Sequence, residues 1–462
     1  MSRWAFGAVA GLAMVVAGFA AERPPNFVLI LADDLGWADL GCYGNTFNET
    51  PHLDRLAKQG TRFTQFYAGP VCSPTRANLQ SGQDQARFGI TQHIPGHRRP
   101  FAKLADPVVA SHLPLEVVTF AERLREAGYA TGYCGKWHLG EQGFGPREQG
   151  WETVVEGRGH TLARQEDGGK PAGRTAEFLT EKACEFMRVN REKPFVLQVS
   201  HFAVHIPLTA APELLEKFQG KQAMPGYPSR PEYAALLAEL DQSVGAIAAE
   251  VDRLGLSEHT LLLFLSDNGG LEHEQSGRIV TSNRPLRGEK GTLYEGGIRV
   301  PAIARWPGRV PNDRRCDHPA ISYDLYPTML ELAGVKAAGE QAVDGVSLVP
   351  CLRNPEALLG RAALHWHLPH YHHSTPASAM RREDLKLIEF FEDGRLELYN
   401  LRHDPAESKD LSQEQGAKAR EMQRELAAWR RKVGAQMPIP NANYDPARAD
   451  QLGKGKGKKR AD

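Results

Sequence analysis

The chain has 462 residues, 41% of them hydrophobic and 24% charged, an ordinary globular balance with length for roughly two or three domains. Its 56 Lys and Arg cancel its 56 Asp and Glu, so no global field draws it to nucleic acid or an anionic membrane, and attraction for an anionic ligand has to be local. Six cysteines without a CxxC pair exclude a disulfide scaffold, a zinc ribbon and a thioredoxin-type motif.

At the N-terminus Arg3 precedes an apolar run from Trp4 to Ala17, and the small residues Gly18, Ala20 and Ala21 follow. This is the pattern of a cleaved secretory signal peptide over residues 1–21, which predicts a periplasmic or secreted protein. No later segment is apolar enough to span a bilayer, so no stable membrane span is expected after cleavage.

Asn26 to Ala32 is the continuous apolar run that a strand buried on both faces requires, and Asp33 and Asp34 follow it at once. Further on, Val71-Cys72-Ser73-Pro74-Thr75-Arg76-Ala77-Asn78 predicts a short helix with Ser73 as its cap, Pro74 at its first position and Gly82 at its end. Cys72 then stands just before a helix N-terminus, where backbone donors and the dipole favour negative charge. Val118 to Glu126 has helical spacing and stops at Gly128. The strand Ala130 to Cys134 runs into Lys136 and His138. A helix over Thr175 to Val189 precedes the strand Phe195 to Ser200, which runs into His201 and His205. A helix over Pro231 to Leu254 leads to the buried strand Thr260 to Ser266, with Asp267 and Asn268 directly after it. Gly288 to Gly297 is a Gly-rich loop holding Lys290.

Such alternation predicts an α/β domain over residues 22–355, a large mostly parallel sheet flanked by helices. Ligands of such sheets gather outside the carboxyl ends of the strands. The polar clusters all fall there, which predicts one composite site. From residue 356 the pattern changes. Asp384 to Phe391 and Leu396 to Tyr399 flank the hairpin signal Glu392-Asp393-Gly394-Arg395, and a helix from about Gln413 to Val433 follows. Residues 356–440 therefore read as a smaller α+β domain with an antiparallel sheet. Residues 441–462 are polar and end in a Gly- and Lys-rich run, which predicts a disordered tail.

Taken alone, a cysteine before a short helix reads as an inert buried thiol, and each acidic pair as a turn or cap. Cys72, Pro74 and Arg76 together change that weighting. Their spacing resembles the maturation motif of type I sulfatases, in which a dedicated enzyme oxidises the cysteine to formylglycine. Asp33-Asp34, Lys136-Trp137-His138-Leu139-Gly140, His205-Ile206-Pro207, Asp267-Asn268-Gly269 and the loop Gly288 to Gly297 occur in that family's order. Arylsulfatase-A-like and N-acetylgalactosamine-6-sulfatase-like members share these strings.

The resemblance implies an alkaline-phosphatase-like fold and one Ca²⁺ ion held by Asp33, Asp34, Asp267, Asn268 and an oxygen on residue 72. Donor chemistry agrees, since these side chains offer oxygen and no imidazole, the choice of a hard cation with high coordination. The resemblance further implies a hydrated formylglycine at Cys72, one hydroxyl of which attacks sulfur. Arg76, Lys136 and Lys290 neutralise charge, His205 protonates the leaving alcohol, and His138 takes the proton of the second hydroxyl. Lys136, His205 and Lys290 also bind substrate in this reading, whereas His201 is structural. Trp366-His367-Leu368-Pro369-His370-Tyr371 resembles a segment of the family's second domain and adds His367 and His370 as a substrate-recognition wall.

The implied substrate is a sulfated carbohydrate or an aryl sulfate. Two alternatives stay open. One is a phosphoester or phosphonate hydrolase on the same scaffold, which Asn268 disfavours because that group often has Asp-His there. The other is a non-catalytic binder of sulfated glycans, in which Cys72 remains a thiol.

Overall fold

The computed structural model describes residues 23–162, 173–275 and 277–453, so the expected signal peptide and residues 454–462 lie outside the described residues. The main sheet has nine strands. Eight of them matter for the site: β1 (Asn26–Ala32), β2 (Thr61–Tyr67), β3 (Ala130–Gly135), β4 (Thr153–Val155), β5 (Phe195–Ser200), β6 (Thr260–Ser266), β7 (Arg299–Arg305) and β8 (Arg314–Cys316). Their order across the sheet is β8-β2-β7-β6-β1-β5-β3-β4, and a short strand, Ala320–Ile321, also pairs with β2.

β1 sits at the centre, parallel to β5 on one side and β6 on the other. All seven of its residues are buried. Its side chains alternate between two cores, Phe27, Leu29 and Leu31 facing one and Val28, Ile30 and Ala32 the other. Period-two alternation with both faces covered is why the run is apolar throughout. Each fully buried Val, Leu, Ile or Phe contributes about 1.5–3 kcal/mol.

The first core is covered by α1 (Cys72–Ser81) and α2 (Phe120–Glu126) through Ala77, Leu79, Phe120 and Leu124. The second is covered by α3 (Thr175–Val189) and α4 (Pro231–Arg253) through Leu179, Phe186, Tyr233 and Leu240. The α2 helix starts two residues later than its apolar pattern suggests. Thr119 accepts from the Glu122 amide at 3.2 Å while the Glu122 carboxylate accepts from the Thr119 amide at 2.7 Å, a capping box that sets the boundary.

The sheet is mixed in one decisive place. β7 runs antiparallel to both β6 and β2. The loop that precedes β7 therefore reaches the edge where the parallel strands end.

Beyond the main sheet, β9 (Leu364–Leu368), β10 (Ala377–Arg382), β11 (Leu385–Phe390) and β12 (Leu396–Asn400) form an antiparallel sheet in chain order. One face, with Leu364, Trp366 and Leu368, packs on Tyr67 and Ile298 of the main domain. The other receives α5 (Gly416–Val433) through Met422 and Leu426.

The C-terminal segment differs from the sequence expectation of disorder from residue 441 onward. Ile439–Pro440 pairs with Leu104–Ala105, the Asn441 side chain donates to the carbonyls of Pro100 and Ala102, and the Gly453 amide donates to Arg98 O at 2.8 Å. Backbone pairing to a distant loop replaces the apolar side chains whose lack suggested disorder. Among the described residues no helix is long and apolar enough to cross a membrane.

Candidate active site

Loops from six strands meet at one edge of the main sheet. Asp33 and Asp34 leave β1, Lys136 and His138 leave β3, His201 and His205 leave β5, and Asp267 and Asn268 leave β6. β2 runs in the same direction and delivers residues 68–71, and with them Cys72, to this edge. The loop before antiparallel β7 brings Lys290.

α1 begins at Cys72 itself, with Val71 in extended conformation as its cap. The sequence expectation put Ser73 at the cap and Pro74 at the first helical position. Ser73 has other work: its hydroxyl donates to His138 O at 2.9 Å and accepts from the Ile94 amide at 3.0 Å. Gly82 ends the helix in the left-handed region, φ 70°. The Cys72 thiol is buried on the first helical residue, 3.5 Å from Asp33 Oδ1. Burial pushes it up to about 12, so the unmodified sulfur stays protonated and is a poor nucleophile.

Ligand atoms of Asp33, Asp34, Cys72 and His205 all lie within 4.8 Å of one another. Asp267 and Asn268 adjoin them. Asp267 Oδ1 accepts from the Asp34 amide at 3.2 Å, and Asn268 Nδ2 donates to Asp34 Oδ1 at 2.8 Å. Asn268 Oδ1 is buried and has no hydrogen-bond partner among the described residues.

Three cations surround these groups. Lys136 Nζ contacts Asp33 Oδ2 at 2.5 Å, and Lys290 Nζ contacts Asp34 at 2.7 Å. Arg76 grips Asp267 Oδ2 through Nε at 3.1 Å and through its terminal nitrogen at 2.6 Å, and donates to Lys136 O at 2.7 Å. Arg76 thus braces Asp267 and the lysine loop, a link between residues 191 positions apart.

Burial opposes the Asp33 carboxylate, but Lys136, His205, Arg76 and Lys290 outweigh it and hold its pKa well below the usual range. Asp34 is also lowered, with Lys290 and His205 overcoming its burial. Asp267 goes the other way. Burial and the charge of Asp33 push it up to about 6, against Arg76 and Lys136. Three buried carboxylates beside a buried amide oxygen with no partner among the described residues are an environment a divalent cation satisfies, and the oxygen donors suit Ca²⁺.

His138 holds a left-handed backbone, φ 60°, and donates Nε2–H to Ile94 O at 2.7 Å. Its buried Nδ1 has no partner among the described residues and carries the free lone pair. Burial, Lys136 and Arg76 push its pKa down to about 3, so it is a neutral acceptor. His205 is half-buried, donates Nδ1–H to Ile206 O at 2.5 Å and turns Nε2 toward Asp34 at 3.6 Å. His201 is 1% exposed and pairs with Ser243 at 3.0 Å, away from the carboxylates.

Within the histidine-rich stretch, His367 is placed differently from the sequence expectation. Trp366 faces the main domain and donates to Ala68 O, so strand alternation turns His365 and His367 to the opposite face. His365 stacks on Trp429 of α5, and His367 spends both ring nitrogens on Ser378 Oγ and Gln436 O. His367 is fully buried away from the carboxylates. His370 is 1% exposed, bonds Thr91 through Nε2, and lines a separate pocket.

The residues that do reach the loop carrying Lys290 are His372 and His373. His373 Nδ1 donates to Lys290 O at 2.7 Å. His372 fills the space over Gly291, where a Cβ would fall 1.9 Å from its Nδ1. His93 and His97 complete this imidazole wall, His93 lying 5.6 Å and His97 5.2 Å from His372 between ring centres. Nothing in the local sequence of His93 or His97 marked them, because the ring they pack against belongs to a different domain.

A family model described as Sulfatase matches residues 25–335, and one described as N-sulphoglucosamine sulphohydrolase, C-terminal, matches residues 288–432. Arylsulfatase A of Homo sapiens is 36% identical over 382 residues, covering 74% of this chain and 70% of the relative. Steryl-sulfatase of Mus musculus is 32% identical over 428 residues, and the match covers 72% of this chain and 66% of the relative, just under two thirds of its length. Among solved structures, Ps i-CgsB aligns with a TM-score of 0.75 at 28% identity, covering 88% of this chain and 93% of that one, and it has also been solved in complex with k-i-k-neocarrahexaose.

Proposed function

The chain belongs to the sulfatase family, and from that membership we propose that it hydrolyses sulfate esters of carbohydrates and releases inorganic sulfate. The observation that carries the reading is the convergence on Cys72 of the carboxylates of Asp33 and Asp34 with the cations of Lys136 and Lys290 and the unpartnered Asn268 oxygen. Asp33, Asp34, Asp267, Asn268 and an oxygen on a formylglycine matured from Cys72 would hold a single Ca²⁺, which would supply charge neutralisation and activation of an oxygen nucleophile.

The chain's own residues do the rest. Lys136 and Lys290 bind sulfate oxygens, and they are poised for it because buried ammonium groups fixed on carboxylates need no reorganisation as charge develops. Arg76 holds Asp267 in place and opposes the rise that burial imposes on its pKa. His205 presents Nε2 to the leaving alcohol, because an alkoxide leaves poorly without a proton. His138 accepts a proton at Nδ1, the ring nitrogen that its bond to Ile94 leaves free. The protein acts outside the cytoplasm, periplasmic or secreted, and depends on a formylglycine-generating enzyme for its activity.

Two measurements test this. Mass spectrometry of the peptide containing Cys72 is expected to show the mass of an aldehyde in place of the thiol. Release of inorganic sulfate from 4-nitrophenyl sulfate and from a panel of sulfated monosaccharides is expected, and is lost in Cys72→Ala. An unaltered thiol in fully active protein would overturn the assignment.

A further inference from the structure

We propose that a pocket of about 300 Å³ beside the imidazole wall binds a second, anionic sugar unit of the substrate, with Arg98 as its anion contact. The proposal rests on the carbohydrate sulfatase reading above and names what that site recognises beyond the reacting sulfate.

His97 joins the two sites. Its ring lines the pocket, touches His93 at 4.5 Å and stacks on His372 at 5.2 Å. His93 in turn lies 6.5 Å from His138, and His372 packs on Gly291 next to Lys290. The pocket therefore opens where the sulfate site ends, at the spacing of neighbouring side chains.

Its walls have the composition a pyranose ring requires. Pro95, Pro107 and Val108 offer an apolar surface for the C–H face of a sugar, and Val108 is 74% exposed. Asp106 and Asn443 stand on the polar rim. Burial pushes Asp106 up to about 6 against the pull of the Tyr371 amide, Arg99 and Arg98, and its Oδ1 accepts from that amide at 3.4 Å, which leaves acceptor capacity for a sugar hydroxyl. The volume falls at the low end of small-molecule sites, roughly 300–1,000 Å³.

Two polar groups have hydrogen-bonding capacity unused among the described residues. Arg98 is exposed and its guanidinium makes no hydrogen bond or close ion pair among the described residues, its charge acting on Asp106 across the pocket. The neighbouring Arg99 is committed to Asp450 at 2.9 Å and to His372 O at 3.0 Å. His370 is 1% exposed and lines the pocket with a buried Nδ1 that has no partner. A planar guanidinium with free donors matches a sulfate or carboxylate.

The pocket is built rather than incidental. Asn441 and Asn443 arrive on the segment after Ile439–Pro440, whose pairing with Leu104–Ala105 closes one wall. The backbone of Arg98 is held by the Gly453 amide at 2.8 Å.

Isothermal titration calorimetry of the mature protein tests the proposal. The probes are chondroitin 6-sulfate and κ-carrageenan tetrasaccharides, their sulfated monosaccharides, and inorganic sulfate. At least one tetrasaccharide is expected to bind about tenfold more tightly than its own monosaccharide. Arg98→Ala is expected to weaken the tetrasaccharide roughly fivefold, the loss of one partly exposed charged contact, with less than about a twofold change for inorganic sulfate. Arg98→Lys should recover part of the loss. Equal affinity for tetrasaccharides and monosaccharides, or no tetrasaccharide-selective loss in Arg98→Ala, would overturn it. Turnover of 4-nitrophenyl sulfate and of the sulfated monosaccharides is measured separately. Its absence in formylglycine-bearing protein would sink the sulfatase reading, while the affinities measured by calorimetry would still decide whether the pocket binds an anionic sugar.

Discussion

Replacing Lys386 by methionine removes the one charge that two buried glutamates share. Lys386, on β11, is fully buried with its ammonium 2.9 Å from both Glu295 Oε1 and Glu407 Oε1. The Glu295 amide donates to Glu407 Oε2 at 2.7 Å, and Tyr67 donates to Glu295 Oε2 at 2.7 Å. The cluster ties the small sheet to the loop that carries Lys290. Burial opposes Glu295, but Lys386, Arg299 and Arg381 hold it down at about 2, whereas burial pushes Glu407 up to about 7 against the pull of Lys386. Breaking a buried ion pair from one side costs about 3–5 kcal/mol. An unfolding entropy near 2.1 cal/mol/K per residue gives about 1 kcal/mol/K for this chain, so the melting temperature should fall by about 3–5 °C. Glu407 has a folded pKa above its unfolded one, so its contribution is full at low pH and is lost as pH rises through about 7. Lys386→Met raises that pKa further, so the deficit widens between pH 5 and pH 8. Scanning calorimetry of the wild type, Lys386→Met and Lys386→Arg at both pH values reads it. A variant that melts within about 1 °C of the wild type at pH 8, or whose deficit is as large at pH 5, would refute the reasoning.

Calcium at one hundred times its dissociation constant stabilises the folded state by about 2.7 kcal/mol, so it should raise the melting temperature by about 3 °C, reversibly with EDTA and not in Asp34→Ala. A larger shift with Zn²⁺ than with Ca²⁺ would contradict the oxygen donor set. His205→Ala should lower kcat by about 10²–10⁴ on a sugar sulfate and far less on 4-nitrophenyl sulfate, whose phenolate leaves without a proton; equal losses on both would remove His205 from the acid role. His138→Ala should lower kcat by about 10²–10⁴ on either substrate. Because His138 titrates near 3, it contributes no acid limb above about pH 4, and a limb near pH 6 that vanishes in His138→Gln would show otherwise.

Much of the site is legible in the chain because of how buried parallel strands are made. Both faces of β1 and β6 must be apolar, so Asn26 to Ala32 and Thr260 to Ser266 stand out as runs, and the polar residues that follow each run are already at the ligand edge. The spacing of Cys72, Pro74 and Arg76 and the acidic pairs carry their chemistry in their own side chains. β7 offers no such sign: it opens on Arg299, contains Pro301, and runs antiparallel, so that Lys290 reaches the site from the start of a strand rather than its end. The histidine-rich stretch shows the same limit. Composition makes its imidazoles equivalent, but the pleat sends His365 and His367 to the α5 side and leaves His372 and His373 at the loop carrying Lys290.

By itself, then, the order of residues determined which groups could hold a cation, carry a proton or meet a sulfate, because those capacities are properties of single side chains and of short-range patterning. Which of them face one another was decided only by strand direction, pleat and long-range pairing. Arg76 on Asp267, His372 over Gly291 and the C-terminal segment along residues 98–105 are contacts between parts of the chain far apart in sequence, and no local periodicity encodes them.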